Sequence, residues 1–465
     1  MKIKYFLALI CATATLLFTS CDDDSTRGLP TTDVSIKSST GIFEVVHQKT
    51  LKLIGVVNSN IPSTYLWTID GVAQSTTDTI LNFTGISVGE HVVTFSATNE
   101  FGRSTATATI YVSGKFKSGA FILNEGSAST EGGSFIHIGY DGIVTPNAQY
   151  VVNGFEFGIN PQQMFWNNGK IYVGSKEPAS GNYGHRLTVL DAETLEEIAD
   201  YTADLNAINY LTAYHSAVAA LGNDIFLTTS STNQDLRSFN TVTKDVTLIK
   251  NGRINAAHRM YALRNKLFAI NGNFVKVFEE GKDTITTQID FGAAVRSIAR
   301  ASDGNLFVAV GTSPIEIRKM NTSNYSIMNT STLPASITSL AGSGQAIQQI
   351  WPKGDTIYFY TSSGTNWIVY EHITTSNLTN TIGNIYPYLP YTMLYGGTFG
   401  VSPKTGQIYI ATFAGYGTAY RTNSITVFTL TDGDGSGGAD RIRLIEDYYD
   451  HTRFTTGVYF PESYE

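Results

Sequence analysis

Thiol chemistry is almost absent from this chain. Its 465 residues include two cysteines, Cys11 and Cys21, so everything after Cys21 lacks both disulfides and a thiol nucleophile. Charge is sparse as well. Lys and Arg number 31 against 39 Asp and Glu, a formal charge of −8 that argues against a nucleic-acid partner held on a basic surface. The most apolar run, Tyr5–Phe18, is too short to span a bilayer, and no heptad or amphipathic helical pattern follows it. The eight histidines contain no H-x-H or H-x-x-x-H pair, which leaves a histidine-rich metal site without a local signature. What is abundant instead is Gly (43), Tyr (26) and Phe (25), with many Thr and Ser, the composition of an all-β globular protein.

The chain repeats a phrase, clearest in VRSIARASDGNLFVAVG at Val295–Gly311: an apolar strand, a polar turn and a second apolar strand. Further versions begin at Gln163, Ser216, Arg259, Ile347 and Gly397, making six. Each is followed by another β-rich run, so one unit is roughly 35–50 residues of four short strands, the period of β-propeller blades. A seventh copy is split. TTGVYF at Thr455–Phe460 reads as a first strand without its partner, and GAFILNEG at Gly119–Gly126 as a second strand without its predecessor. Joining them predicts a seven-bladed β-propeller over residues 118–465, fastened by a strand from the far terminus.

Residues 1–20 read as a secretory signal: Lys2 and Lys4, an apolar middle, then small residues. Leu17-Phe18-Thr19-Ser20-Cys21 resembles a bacterial lipoprotein lipobox, which implies acylation of Cys21 and a lipid anchor in a membrane; the alternative is an ordinary signal with a chance cysteine. Asp22-Asp23-Asp24 opens a tether over residues 21–33. It reads either as a solvated spacer or, by resemblance, as the acidic export tag of Bacteroidetes lipoproteins carried to the outer face of the outer membrane.

Residues 34–113 alternate in polarity over strand-length runs, predicting a small β-sandwich. YLWTIDG followed by GEHVVTFSATNEFG resembles the PKD family of Ig-like domains, with Trp67 as core aromatic, Gly89 in a turn, and Asn99 and Gly102 in the last hairpin. The resemblance implies a stalk, with sugar binding as the alternative.

In a propeller, the loops entering first strands and those joining second to third strands crowd one end of the central channel. Here they carry, among others, Phe155, His215, Arg253, His258, Arg259, Arg296, Tyr391, Tyr395, His451, Arg453 and Phe454 from the first group, and Glu125, His185, Trp367, Tyr416 and Tyr420 from the second. Of these, His215, Arg253, His258, Arg259, Arg296, Trp367, Tyr391, Tyr395, Tyr416, Tyr420, His451 and Arg453 are the ligand-binding candidates. Rings offer contact area at low entropic cost, and arginines favour anionic groups. The plainer reading is that Arg259, Arg296 and His258 are structural polar residues of the channel. Acids are few on these loops, chiefly Glu125, Glu156 and Glu177, so a binding protein is expected rather than an enzyme, with no catalytic residues and no required cofactor.

Asp432-Gly-Asp434-Gly-Ser436-Gly-Gly-Ala-Asp440 matches calcium-loop positions one, three, five, six and nine, but Arg443 stands where the bidentate Glu belongs. A solvated hairpin and a weak structural calcium site both remain open.

The whole layout resembles Bacteroidetes surface lipoproteins with a YncE-like propeller, a group that includes cobalamin-binding proteins of the BtuG type and siderophore-binding relatives. That resemblance implies an outward-facing, lipid-anchored protein of the outer membrane. It would bind a scarce nutrient, a corrinoid first, and deliver it to a TonB-dependent transporter. An iron–siderophore ligand is the alternative, and a glycan-binding or adhesive surface protein a further one.

Overall fold

The computed structural model describes residues 33–59, 61–85, 87–126, 131–175, 185–207, 217–228, 235–340, 349–431 and 441–464. They fall into two units, Met1–Ser113 and Gly114–Glu465.

Within the described part of the first unit, two sheets share one core. The strands Asp33–Ser38, Thr50–Asn58 and Ile80–Thr84 form one, and Glu44–Val46, Gly102–Ser113, Gly89–Asn99, Thr64–Ile69 and Val72–Ala73 the other, in that spatial order. Alternation decides which side is inside: Leu51 and Leu53 are buried between exposed Thr50 and Lys52, as are Leu81 and Phe83 between Ile80, Asn82 and Thr84. Opposite them, Trp67, Val93, Phe95, Ile110 and Val112 complete the core. Trp67 is fully buried, its ring 4.5 Å from Phe95 and its indole N–H donated to the Asp78 carbonyl at 2.9 Å. Gly55 is required here, since a Cβ would lie 2.4 Å from the Phe95 ring.

The second unit contains seven four-stranded antiparallel sheets among its described residues. Six are built from consecutive strands. The seventh runs Val144–Thr145, Ser134–Ile138, Ala120–Asn124, Thr455–Tyr459, so the last strand of the chain is hydrogen-bonded to the first strand of the unit. Around the ring, Thr455–Tyr459 lies against Pro161–Asn167 on one side and Phe399–Val401 on the other, and the inner strands between follow in chain order, which closes the circle. The result is a β-propeller-like fold.

Burial explains the repeated phrase. Second strands are covered on both faces by neighbouring sheets, and Leu306–Val310 and Ile408–Phe413 are buried throughout. Outer strands such as Glu197–Asp200 stay largely exposed. Register shifts at Pro161/Gln163, Val295/Ser297 and Thr455/Gly457 bend three inner strands where each begins. Beyond the last strand, Tyr464 is buried with its ring 5.3–5.5 Å from those of Phe165, Trp166 and Tyr261, filling the axis at the end where first strands turn into second strands.

Candidate functional site

The candidates expected from the sequence separate into two groups. One lies inside the channel. Arg259 is 8% exposed, donates to the Val458 carbonyl, and holds its guanidinium 4.6 Å from the Trp351 ring and 4.2 Å from the Tyr459 ring. Arg296 donates through Nε to the Gly311 carbonyl at 3.0 Å. Gln163 donates to the carbonyls of Ala256 and His258 at 2.8 and 3.1 Å. The space between His258, Arg259, Ser297, Gln349 and Trp351 measures about 10 Å³, room for one water. These polar groups are bound to backbone carbonyls of the ring itself.

Arg253 and Trp367 stand apart from both groups. The Arg253 side chain is exposed, while its carbonyl accepts from the buried Lys276 ammonium at 2.8 Å. Trp367 is buried, donates to the Gly364 carbonyl at 3.2 Å and meets the Tyr386 ring at 5.8 Å.

The second group gathers at the opposite end of the inner strands from Tyr464, where the chain enters Phe399–Val401 and Thr455–Tyr459. Phe454 is its centre. The Tyr420 ring stacks on it at 4.5 Å, with Tyr395 at 5.3 Å, Phe413 at 5.8 Å and Tyr416 at 6.2 Å. Phe454 sits at φ 56°, a left-handed backbone that bulky residues seldom adopt and that marks a site held by its surroundings. A second layer is ionic. The Glu131 carboxylate accepts from Arg421 at 2.7 Å and from the Tyr420 hydroxyl at 3.3 Å, and lies 3.7 Å from Arg453 Nε. Burial and the adjacent Glu125 carboxylate push the Tyr395 phenol well above its ordinary pKa, so it stays a donor. Tyr391 is half-buried, Tyr416 half-exposed, and burial lowers the His451 pKa.

Below the rings, Tyr395, Thr398, Ala411, Thr412, Phe413, Thr452, Phe454 and Thr455 line a crevice too narrow to admit a water molecule. The hydroxyls of Thr398 and Thr412 are buried in it with no hydrogen-bond partner among the described residues. Orphaned buried hydroxyls are costly unless something polar meets them. Among the described residues of this cluster, the carboxylates of Glu125 and Glu131 stand beside the guanidiniums of Arg421 and Arg453.

Asn423 holds this rim together. It is fully buried; its amide donates to the carbonyls of Tyr420, Arg421 and Thr452 at 3.2, 2.9 and 2.8 Å, and its oxygen accepts from Thr452 N–H at 2.9 Å. Asn423→Leu strands those backbone groups, and the expected cost is roughly 2–4 kcal/mol at about 1 kcal/mol or more per lost bond. Denaturant unfolding of the variant checks it.

Residues 118–459 match a family model described as Domain of unknown function (DUF5074). The chain belongs to that family. No curated protein matches it. Among solved structures, a quinoprotein alcohol dehydrogenase-like protein from Bacteroides thetaiotaomicron is similar over 90% of this chain and 96% of its own, at 13% identity and a TM-score of 0.52. A protein from Lactobacillus plantarum is similar over 74% of this chain and 99% of its own, at 13% identity and a TM-score of 0.48. At 13% identity, the likeness to the first establishes the β-propeller-like fold alone.

For this DUF5074 chain, Tyr395, Tyr416 and Tyr420 of the rim candidates lie around the Phe454 ring, with Arg453 beside Glu131. Sequence reasoning missed Glu131, Arg421 and Asn423. Glu131 is 290 residues from Arg421, and only closure of the ring makes them neighbours. His215, the lipidation candidate Cys21, and the calcium candidates Asp432, Asp434, Ser436 and Asp440 lie outside the described residues. Among the described residues, no group of three or more His, Cys, Asp or Glu is placed to hold a metal ion.

Two histidines carry a pH prediction. Burial lowers both His137 and His258 to about 4, with the Arg296 charge adding to the shift at His258. Above pH 6.5 both are neutral, folded or unfolded. As pH falls from 6.5 towards 4 the unfolded chain takes up protons that the folded one refuses, so stability drops. For His137, whose Nε2 donates to the Ser118 carbonyl at 2.8 Å, the loss is on the order of 3 kcal/mol. Urea unfolding at pH 7 and pH 4.5 is expected to show a smaller difference in His137→Gln than in the parent chain.

Proposed function

We propose that this protein captures a scarce nutrient at the aromatic rim and passes it to a TonB-dependent transporter of the outer membrane, with no covalent step. A corrinoid is the first choice of ligand. In this reading the seven sheets are the blades of a seven-bladed propeller, the first unit is a PKD-type stalk, and acylated Cys21 anchors the chain with its binding face outward. Tethering beside the transporter raises the local concentration of bound ligand.

The observation that carries the proposal is the cluster of rings gathered around Phe454. A corrinoid offers flat faces to the rings and amide edges to Glu125 and to the Glu131 cluster. A siderophore is the weaker choice, because Arg259 and Arg296 are committed to carbonyls and Arg421 and Arg453 lie beside Glu131.

Calorimetric titration of residues 25–465 with cyanocobalamin tests the reading, with ferric enterobactin as the second arm. Saturable one-site binding of cyanocobalamin is expected. Binding of ferric enterobactin alone would replace the ligand class, and silence with both would transfer the reading to a glycan or adhesive role.

A further inference from the structure

The channel itself holds a second, much smaller site. Among the sheets whose first strands begin at Tyr261, Val295 and Trp351 lies a void of about 10 Å³, walled by His258, Arg259, Ser297, Gln349 and Trp351. That is room for one atom-sized guest. Measured contacts hold the walls together. The Arg259 guanidinium lies 4.6 Å from the Trp351 ring, and the Ser297 hydroxyl oxygen accepts from the Ile350 N–H, next to Trp351, at 3.2 Å.

What the guest must supply is set by what these walls leave unmet. Arg259 Nε and Trp351 Nε1 are both buried, and neither has a hydrogen-bond partner among the described residues. Guanidinium and indole nitrogens donate and cannot accept. No buried side-chain acceptor of the same walls is left without a donor. What is lacking is therefore an acceptor, and a water meets that need badly, since it brings two protons that need acceptors of their own. The local potential has the matching sign. Arg259 and Arg296 end on the carbonyls of Val458 and Gly311 rather than on carboxylates, and burial, with the Arg296 charge, holds His258 at about 4, so it is neutral at pH 7. Away from bulk water, donors and positive charge around a one-atom void favour an anion.

We propose that the void binds a halide ion, chloride in ordinary media, held by Arg259 Nε–H, Trp351 Nε1–H and the Ser297 hydroxyl, whose proton is left over once its oxygen has accepted from Ile350. A spherical anion accepts from all three and has no proton to place; phosphate and sulfate are too large for the space. The ion joins three neighbouring sheets, and Arg259 also reaches the closing strand through the Val458 carbonyl. Its occupancy therefore stabilises the closed ring, by an amount that grows with halide concentration. The site is independent of the rim and of whatever binds there.

Thermal unfolding of residues 25–465 in sodium chloride and in sodium gluconate at equal ionic strength tests the proposal, together with crystals grown without halide and soaked in bromide. The melting temperature is expected to rise saturably with chloride and not with gluconate, and bromide is expected to give an anomalous diffraction peak between Arg259 Nε and Trp351 Nε1. Trp351→Phe keeps a ring beside Arg259 and removes only the indole N–H from the void. It is expected to raise the half-saturating chloride concentration about tenfold, the loss of one hydrogen bond to a charged group. Because this readout is a difference between two salts, it stands even where the variant melts lower in both. An equal rise in gluconate, an unchanged half-saturation point in Trp351→Phe, or a void that holds water and no bromide would overturn the proposal.

Discussion

Deleting residues 455–465 is expected to abolish cooperative unfolding of the second unit. Thr455–Tyr459 is buried along its whole length, and Phe460 and Tyr464 beyond it are 0% and 6% exposed. Burying Val458, Tyr459, Phe460 and Tyr464 contributes about 1.5–3 kcal/mol each, or roughly 6–12 kcal/mol together. A domain's entire stability is about 5–15 kcal/mol. The deletion also uncovers the edge of Ala120–Asn124, whose residues are all buried, creating an apolar strand edge prone to pairing with other chains. Size-exclusion chromatography and denaturant titration check this: an aggregated or non-cooperative chain is expected, and an unchanged midpoint would show that the closing strand is dispensable.

Phe454→Gly separates binding from folding at the rim. Glycine is at ease at φ 56°, so the substitution removes strain of about 1–2 kcal/mol while losing ring contacts of comparable size. The expected net change in stability is within about 1 kcal/mol. The ligand, by contrast, loses the ring on which Tyr420 stacks and around which Tyr395, Phe413 and Tyr416 gather. Central aromatic anchors are worth about 2–4 kcal/mol, so cyanocobalamin affinity is expected to fall roughly thirtyfold to a thousandfold. Melting curves alongside calorimetry read both quantities. Full affinity in this variant would remove Phe454 from the site.

The repeat was legible because burial imposes it locally. Val295–Arg300 and Leu306–Val310 are an apolar strand, a polar turn and a second apolar strand, and the phrase around them displays that order in its own residues. The pairing of the two ends was legible for a similar reason: Ala120–Asn124 lacks a preceding strand in sequence and Thr455–Tyr459 a following one. The fate of the arginines was not. A guanidinium in a sequence shows its charge but not its partner, and Arg259 takes a carbonyl of Val458, 199 residues away. Arg421 and Arg453 reach Glu131 across still longer stretches of chain. The aromatic residues were easier to place, because several on adjacent loops converge whatever their exact orientation.

Hydrogen exchange of residues 25–465 with and without cyanocobalamin tests the central claim, that the ligand is held at the closing sheet, most directly. Protection is expected in peptides covering 391–395, 411–423 and 451–455, with none in the turns around Arg300, Lys353 and Lys404. No protection, or protection confined to those turns, would contradict the account.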